Sequence, residues 1–324
     1  MSETNELREA EGLIAQGMEA KAQPILWRLF ESKNSEIALQ AGLFLLAALD
    51  HVTQGELLLQ ITDRCIATAS ALGRKDIYVF LLVQKAKFLL RELSDLLYRR
   101  QCLKLAANVF EWIDFSLRED EAEYRAITGK MKGLNQESAD LVTRALGEAK
   151  SNPDHYFQGK VSMELGEVGF SRYMLDLGLL MEGGPWKSKI HNIYFVRRWN
   201  LDKFISYDRK ARQMLRESFR NALLFQKRAM EEFIAGGHRS EAGHAAYALA
   251  LHHTFIFRFS KANRYLKLAT TMANPQRDVN LLSRIAKLGK MLKDGCRHPR
   301  NWVEEMGLDL PRALRPRVPT RPRP

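Results

Sequence analysis

The sequence predicts an all-α protein built from antiparallel helix pairs stacked side by side. Three observations carry that expectation. Between Pro24 and Pro275 only Pro153 and Pro185 interrupt the chain, and five of the ten prolines fall in the last 14 residues. Proline inside a helix removes a backbone donor and clashes with the preceding turn, so long proline-free stretches leave helices free to run. Apolar residues recur at three- and four-residue spacings in segments joined by short turns. Strand signals are scarce: no extended alternating run is bounded by Asn-Gly or Asp-Gly, and the one β-prone patch is Ile190 to Arg197.

The expected helices follow in order. Leu7 to Gln16 precedes Ala22 to Glu31, where Pro24 is tolerable only in the first turn. Ser35 to His51 precedes Gln54 to Leu72, with Gly73 as C-cap. The apolar cluster Leu43–Leu49 is bounded by Gln40 and Asp50 and suits a buried helix. No apolar stretch approaches the roughly 20 residues that cross a bilayer. Lys75 to Glu92 leads into Ser94 to Phe115, with Ser94 as N-cap. Glu119 to Lys132 pairs with Gln136 to Lys150; Gly133 ends the first and Ser151-Asn152-Pro153 the second. Long helices cover Asp154 to Met181 and Asp208 to Ala235, and an insertion at 185–207 separates them. Ser240 to Ile256, Lys261 to Met272 and Gln276 to Lys293 complete the set. A pair cannot bury its apolar face alone, so neighbouring pairs stack into an α-solenoid.

One pair carries more. Leu249 and Ala250 set a bulky and a small residue side by side on one helix; Ala262, Leu266 and Ala269 follow on the next, then Pro275. Small residues at a crossing let two helices approach closely. The segment Ala246 to Pro275 resembles a tetratricopeptide repeat. His253 stands at an aromatic position of that family, Ala246 at a large one, and Pro275 comes one residue late. Ala10, Leu13, Ala22 and Leu26 give a looser match, and the middle helices outrun the family's roughly 34-residue unit. The resemblance implies a TPR-like α-solenoid that binds a peptide or protein in a concave groove, and it implies no enzyme activity.

Charge is distributed unevenly. The formal net charge is +12. Residues 1–150 hold 19 Lys+Arg and 22 Asp+Glu, whereas residues 151–324 hold 31 and 16. The expected organisation is an N-terminal helical-repeat lobe at 1–150, a basic C-terminal helical lobe at 151–306 containing the insertion, and a disordered Pro/Arg-rich tail at 307–324. A basic half suggests an anionic partner.

The clearest pattern is Arg209, Arg212, Arg216 and Arg220, spaced three, four and four, which places four guanidinium groups on one helix face with Lys227 near the same stripe. Ala211, Met214, Ser218, Ala222, Phe225 and Ala229 form the opposing core face. Like charges at these spacings repel by a few tenths of a kcal/mol per pair, so an acidic surface or phosphate would answer them. A second basic row is Arg284, Lys287, Lys290, Lys293 and Arg297. The insertion sets Arg197 and Arg198 beside Trp199, a mixture used by single-strand nucleic-acid grooves and by protein hot spots alike. The tail adds Arg312, Arg315, Arg317, Arg321 and Arg323.

Catalytic and metal signals are weak. Glu241 and His244 resemble half of a di-iron carboxylate motif, but no second Glu-x-x-His follows. Glu164 and Glu167 form an ordinary surface carboxylate pair. No phosphate-loop, zinc-protease or hydrolase motif occurs. Cys65, Cys102 and Cys296 are far apart and suit reduced thiols. The N-terminus is acidic and polar, unlike a signal peptide. The expectation is a cytoplasmic, non-enzymatic scaffold or adaptor, a subunit of a larger complex, with no cofactor and no metal. Its basic half meets an acidic protein; the alternative is direct binding of RNA or single-stranded DNA.

Overall fold

The structure is a computed structural model that describes residues 2–49, 54–110, 118–183, 209–255 and 258–297, with the backbone alone described at 101–110, 118–121, 177–183, 209–216, 255 and 294–297. Every regular element among them is helical: α1 Glu3–Ala15, α2 Glu19–Phe30, α3 Ser35–Ala48, α4 Gly55–Ala71, α5 Lys75–Phe110, α6 Arg118–Ala149, α7 His155–Gly183, α8 Arg209–Ala235, α9 Arg239–Phe255, α10 Phe259–Met272 and α11 Val279–Arg297. Helices pack on their neighbours in sequence, and α1 also meets α3 as α9 meets α11. The chain forms two compact units, unit 1 at Met1–Ser171 and unit 2 at Arg172–Pro324. No helix among the described residues is long and apolar enough to cross a membrane.

Two expected breaks are absent. The boundary at Glu92–Ser94 lies inside α5, which runs 36 residues without Gly or Pro. Ser94 does not cap: its Oγ donates to Leu90 O at 3.1 Å, back-bonding within its own helix. The expected stop at Gly133 is likewise interior to α6. Glycine costs about 1 kcal/mol in a helix, and here packing on either side outweighs it. Ile127 and Met131 before Gly133 are buried, as are Ser138 and Ala145 after it. Pro24 also sits deeper than its sequence suggests, because α2 starts at Glu19. The strand candidate Ile190 to Arg197, the insertion and the tail lie outside the described residues.

Unit 1 has a leucine core. Leu26, Leu39, Leu45, Leu58, Leu81 and Leu89 are fully buried. A Cβ added at Gly42 would run into Cys65 Sγ and lie 2.8 Å from Phe30 Cε2, so this glycine sets how closely α3 approaches α2 and α4. Cys65 is buried, and burial pushes its thiol up to about 12, an inert sulfur. Unit 2 has an alanine core. Ala222 and Ala229 of α8, Ala245, Ala246 and Ala250 of α9, and Ala262 and Ala269 of α10 are all inaccessible.

One turn recurs. After α1, α4 and α8 the chain passes through a left-handed glycine, Gly17, Gly73 or Gly237. The next N–H then reaches back five residues: Met18 to Leu13 O, Arg74 to Ala69 O, His238 to Phe233 O. This Schellman closure needs a positive φ that only glycine adopts without strain. Arg258 N–H closes onto His253 O over the same five-residue reach after α9.

Candidate functional site

In unit 2, α10 and α11 carry cations with few acids beside them. Residues 259–293 carry eight Lys or Arg and one acid, Asp278. That acid is already engaged. Its Oδ1 accepts from Ser240 Oγ at 2.6 Å, and its Oδ2 accepts from the Asn274 N–H at 2.7 Å. The two donors hold its carboxyl below the usual range. On α10, the buried Ala262, Leu266 and Ala269 turn Lys261, Arg264 and Lys267 to solvent. On α11, the buried Leu281, Ile285, Leu288 and Leu292 do the same for Arg284, Lys287, Lys290 and Lys293. Among the described residues, the ion pairs of unit 2 involve Arg172, Lys227 and Arg228. None of the seven cations on α10 and α11 with described side chains makes a salt bridge with another described residue.

The two helices enclose a groove of about 380 Å³. Leu266 and Ile285 form its apolar floor; Lys267 from α10 and Lys290 and Lys293 from α11 stand at its rim. Among the described residues, no acidic and no aromatic side chain lines it. The positive field reaches the core behind. His253 is buried, stacks on Tyr265 with ring centroids 5.5 Å apart, and meets Phe219 edge-on. Burial pushes its imidazole down to about 4, and Lys261 and Arg258 push the same way. The adjacent His252 is pushed down to about 3, mainly by burial. Tyr247 is held above its ordinary value by burial, against the pull of Arg284.

The predicted residues fare unequally. Arg209, Arg212 and Arg216 share α8 with Arg220, but their side chains lie outside the described residues. Arg220 is exposed. Lys227 is exposed and paired with Glu231 of its own helix at 3.3 Å. Ala222 and Ala229 of the opposing face are buried as expected, and Ser218 there is used for polarity: its Oγ donates to Asp176 Oδ2 at 2.5 Å. Asp176 is 2% exposed and also faces Arg172 Nε at 3.2 Å. Its carboxyl is raised by burial, with Ser218 and Arg172 opposing. Arg197, Arg198 and Trp199 lie outside the described residues. Lys287 is exposed on α11, where Arg297 is the last residue.

Sequence reasoning missed Lys267, the residue that closes the groove from the α10 side. The signal was present, since Lys261, Arg264 and Lys267 recur every three residues around the Ala262–Leu266–Ala269 stripe.

Unit 1 has a concavity of different chemistry. A groove of about 550 Å³ between α3, α5 and α7 is lined mainly by apolar side chains, among them Leu43, Ile77, Phe80, Phe88 and Phe157. Beside it, the carboxylates Glu164 and Glu167 are both taken by Lys87, each at 2.7 Å. Burial works against the charge on Lys87, but the two carboxylates outweigh it and hold its ammonium above the ordinary range. Among the described residues, no three His, Cys, Asp or Glu side chains are placed to hold a metal ion. Neither a protein-family model nor a curated protein matches the chain.

Proposed function

We propose that the chain is a non-catalytic adaptor of the helical-repeat type, a cytoplasmic subunit whose basic second unit docks an acidic protein partner. One observation carries the reading. From Lys261 to Lys293, eight cations on and between α10 and α11 face one acid, Asp278, which is committed to Ser240 and the Asn274 backbone; the side chains of Asp294 and Arg297, at the end of α11, lie outside the described residues. Unanswered like charges on adjacent helix faces repel, and an anionic surface relieves them.

Two features support a TPR-like arrangement. The residues that carry the family resemblance, Ala246, Leu249, Ala250, His253, Ala262, Leu266 and Ala269, are all buried where α9 meets α10. The same glycine closure, after α1, α4 and α8, joins each of these helices to the next through a short turn.

A nucleic-acid partner is the second reading, and the basic charge alone favours it. The groove chemistry favours a protein: single-strand binders stack bases on aromatic rings, and this groove has an aliphatic floor.

Purification from the native host with and without nuclease separates the two. An acidic protein is expected at constant stoichiometry after nuclease, and its recovery is expected to collapse for the variant Lys267→Glu/Lys290→Glu/Lys293→Glu. Co-purification of RNA or DNA alone would sink the protein reading.

A further inference from the structure

The α10–α11 groove has a shape and a floor as well as a charge. A flat basic patch attracts any polyanion through screened, long-range attraction. Here three ammonium groups from two helices surround a pair of buried aliphatic side chains, Leu266 and Ile285. Ala286 and Gly289, on the same stretch of α11, leave the depression open. Its volume of about 380 Å³ lies at the small end of ligand-sized pockets, room for one or two side chains rather than a folded surface.

We infer that this groove is the seat of a short acidic segment of amphipathic character. One aliphatic anchor rests on Leu266 and Ile285, and flanking carboxylates meet Lys267 on one side and Lys290 and Lys293 on the other. Charge complementarity selects the occupant: among the described residues no acid lines the groove, and Asp278, the one acid of residues 259–293, is held by Ser240 and Asn274, while the side chain of Asp294, which follows Lys293, lies outside the described residues. Lysine fits this role because its ammonium is a compact point charge on a flexible stem, able to follow carboxylates of varying position. The apolar floor supplies what charge cannot, a preference for a segment with an anchor over a uniform polyanion. Helix-in-groove recognition works through such anchors at helical spacing. The inference rests on the acidic-partner reading and narrows it to one groove and one kind of segment.

The test uses the full chain and three labelled probes read by fluorescence anisotropy. The first is a synthetic peptide of about a dozen residues, glutamates flanking a central Leu. The second replaces that Leu by Ser. The third is a single-stranded oligothymidylate. The anchored peptide is expected to bind roughly tenfold more tightly than the Ser peptide, a ratio typical of one buried aliphatic contact. Lys267→Glu/Lys290→Glu/Lys293→Glu is expected to weaken both peptides by at least about tenfold, since rim and seat charges are reversed together. Ala286→Trp fills the depression from an exposed position without changing charge, and it is expected to abolish the advantage of the Leu peptide while sparing the Ser peptide. Circular dichroism melts of both variants verify folding.

Equal binding of the Leu and Ser peptides, or an Ala286→Trp protein that still prefers Leu, would overturn the anchored seat and leave the acidic-partner reading standing. Binding of the oligothymidylate with neither peptide bound at low salt would overturn both.

Discussion

In unit 1, Lys85 reaches from α5 to Asp63 of α4 at 2.8 Å and to Glu137 of α6 at 2.7 Å, whereas in unit 2 Lys267, Lys290 and Lys293 stand around a groove with no acid among them. The same contrast runs through both units. Unit 1 pairs cations across helices: Arg28 with Glu6, Arg64 with Glu31, Lys87 with Glu164 and Glu167, Lys130 with Glu92. The ion pairs of unit 2 among the described residues stay within one helix, four residues apart. Pairing between helices ties elements together, while pairing along a helix leaves neighbouring faces free. Charge among the described residues of unit 1 is therefore structural, whereas the described cations of α10 and α11 form no ion pair with a described acid.

Three measurements test this comparison. The largest expected effect is acidification of unit 2. His252 and His253 titrate near 3 and 4 in the fold, against an ordinary value of 6.5. Both folded values are depressed, so the unfolded chain binds protons first. The stability they contribute is present above about pH 6.5 and is lost as pH falls toward 4. A tenfold difference in proton affinity between the folded and unfolded chain is worth about 1.4 kcal/mol, so the loss is roughly 3 kcal/mol for His253 at the bottom of that window. Asp176, raised in the fold, acts in the opposite sense, gaining stability as pH falls through its folded value toward the ordinary carboxylate range. Hydrogen exchange at pH 7 and pH 4.5 is expected to show α9 and α10 losing protection before α3 and α4. His253→Phe, which keeps a ring against Tyr265, is expected to flatten that dependence. Equal loss of protection in both units would break the contrast.

Next comes the close approach in unit 1. Gly42→Val drives a branched side chain into Cys65 and Phe30 and is expected to cost about 3 kcal/mol. Gly243→Ala, whose added Cβ would meet Leu281 and Met272 at 3.4 Å, is expected to cost under about 1 kcal/mol. Urea unfolding read at both sites distinguishes a tight leucine-and-phenylalanine junction from one with room for a methyl group.

The third is a matched pair of lysine removals. Lys87→Met strips the partly buried Glu164 and the exposed Glu167 of their shared cation and is expected to cost roughly 2 kcal/mol. Lys290→Met removes one of several like charges and is expected to change stability by less than about 0.5 kcal/mol, in the stabilising direction. A destabilising Lys290→Met would mean that this lysine is also structural, and the division between the units would fail there.

Much of the fold was legible in the sequence. The all-helical class followed from proline placement and apolar spacing, and the bounds of α3, α8 and α9 agree with expectation to within a few residues. The misplaced boundaries have one physical cause. Ser94 and Gly133 are real local signals, but each weighs only about 1 kcal/mol. Leu89, Leu90, Leu93 and Leu97 on α5, and Met131, Ser138 and Ala145 on α6, bury against neighbours and carry the helices through. The site was legible in part. Lys290 and Lys293 were visible as part of a row on one helix, and Lys267 as part of another, but that the two rows face each other across one groove was not.

The sequence alone determined that this chain is helical, that its positive charge gathers toward its C-terminal half, and that Ala262, Leu266 and Ala269 form a buried stripe. These follow from local rules: proline geometry, helical period and residue counts. Only the tertiary structure decided that Lys267 stands opposite Lys290 and Lys293, that Asp278 is spent on Ser240 and Asn274, and that Glu164 and Glu167 are answered by Lys87. Apart from the local Asn274–Asp278 bond, those are contacts between segments far apart in sequence. Whether a charge is answered depends on which helix face packs against which, and helical periodicity within one segment carries no information about that.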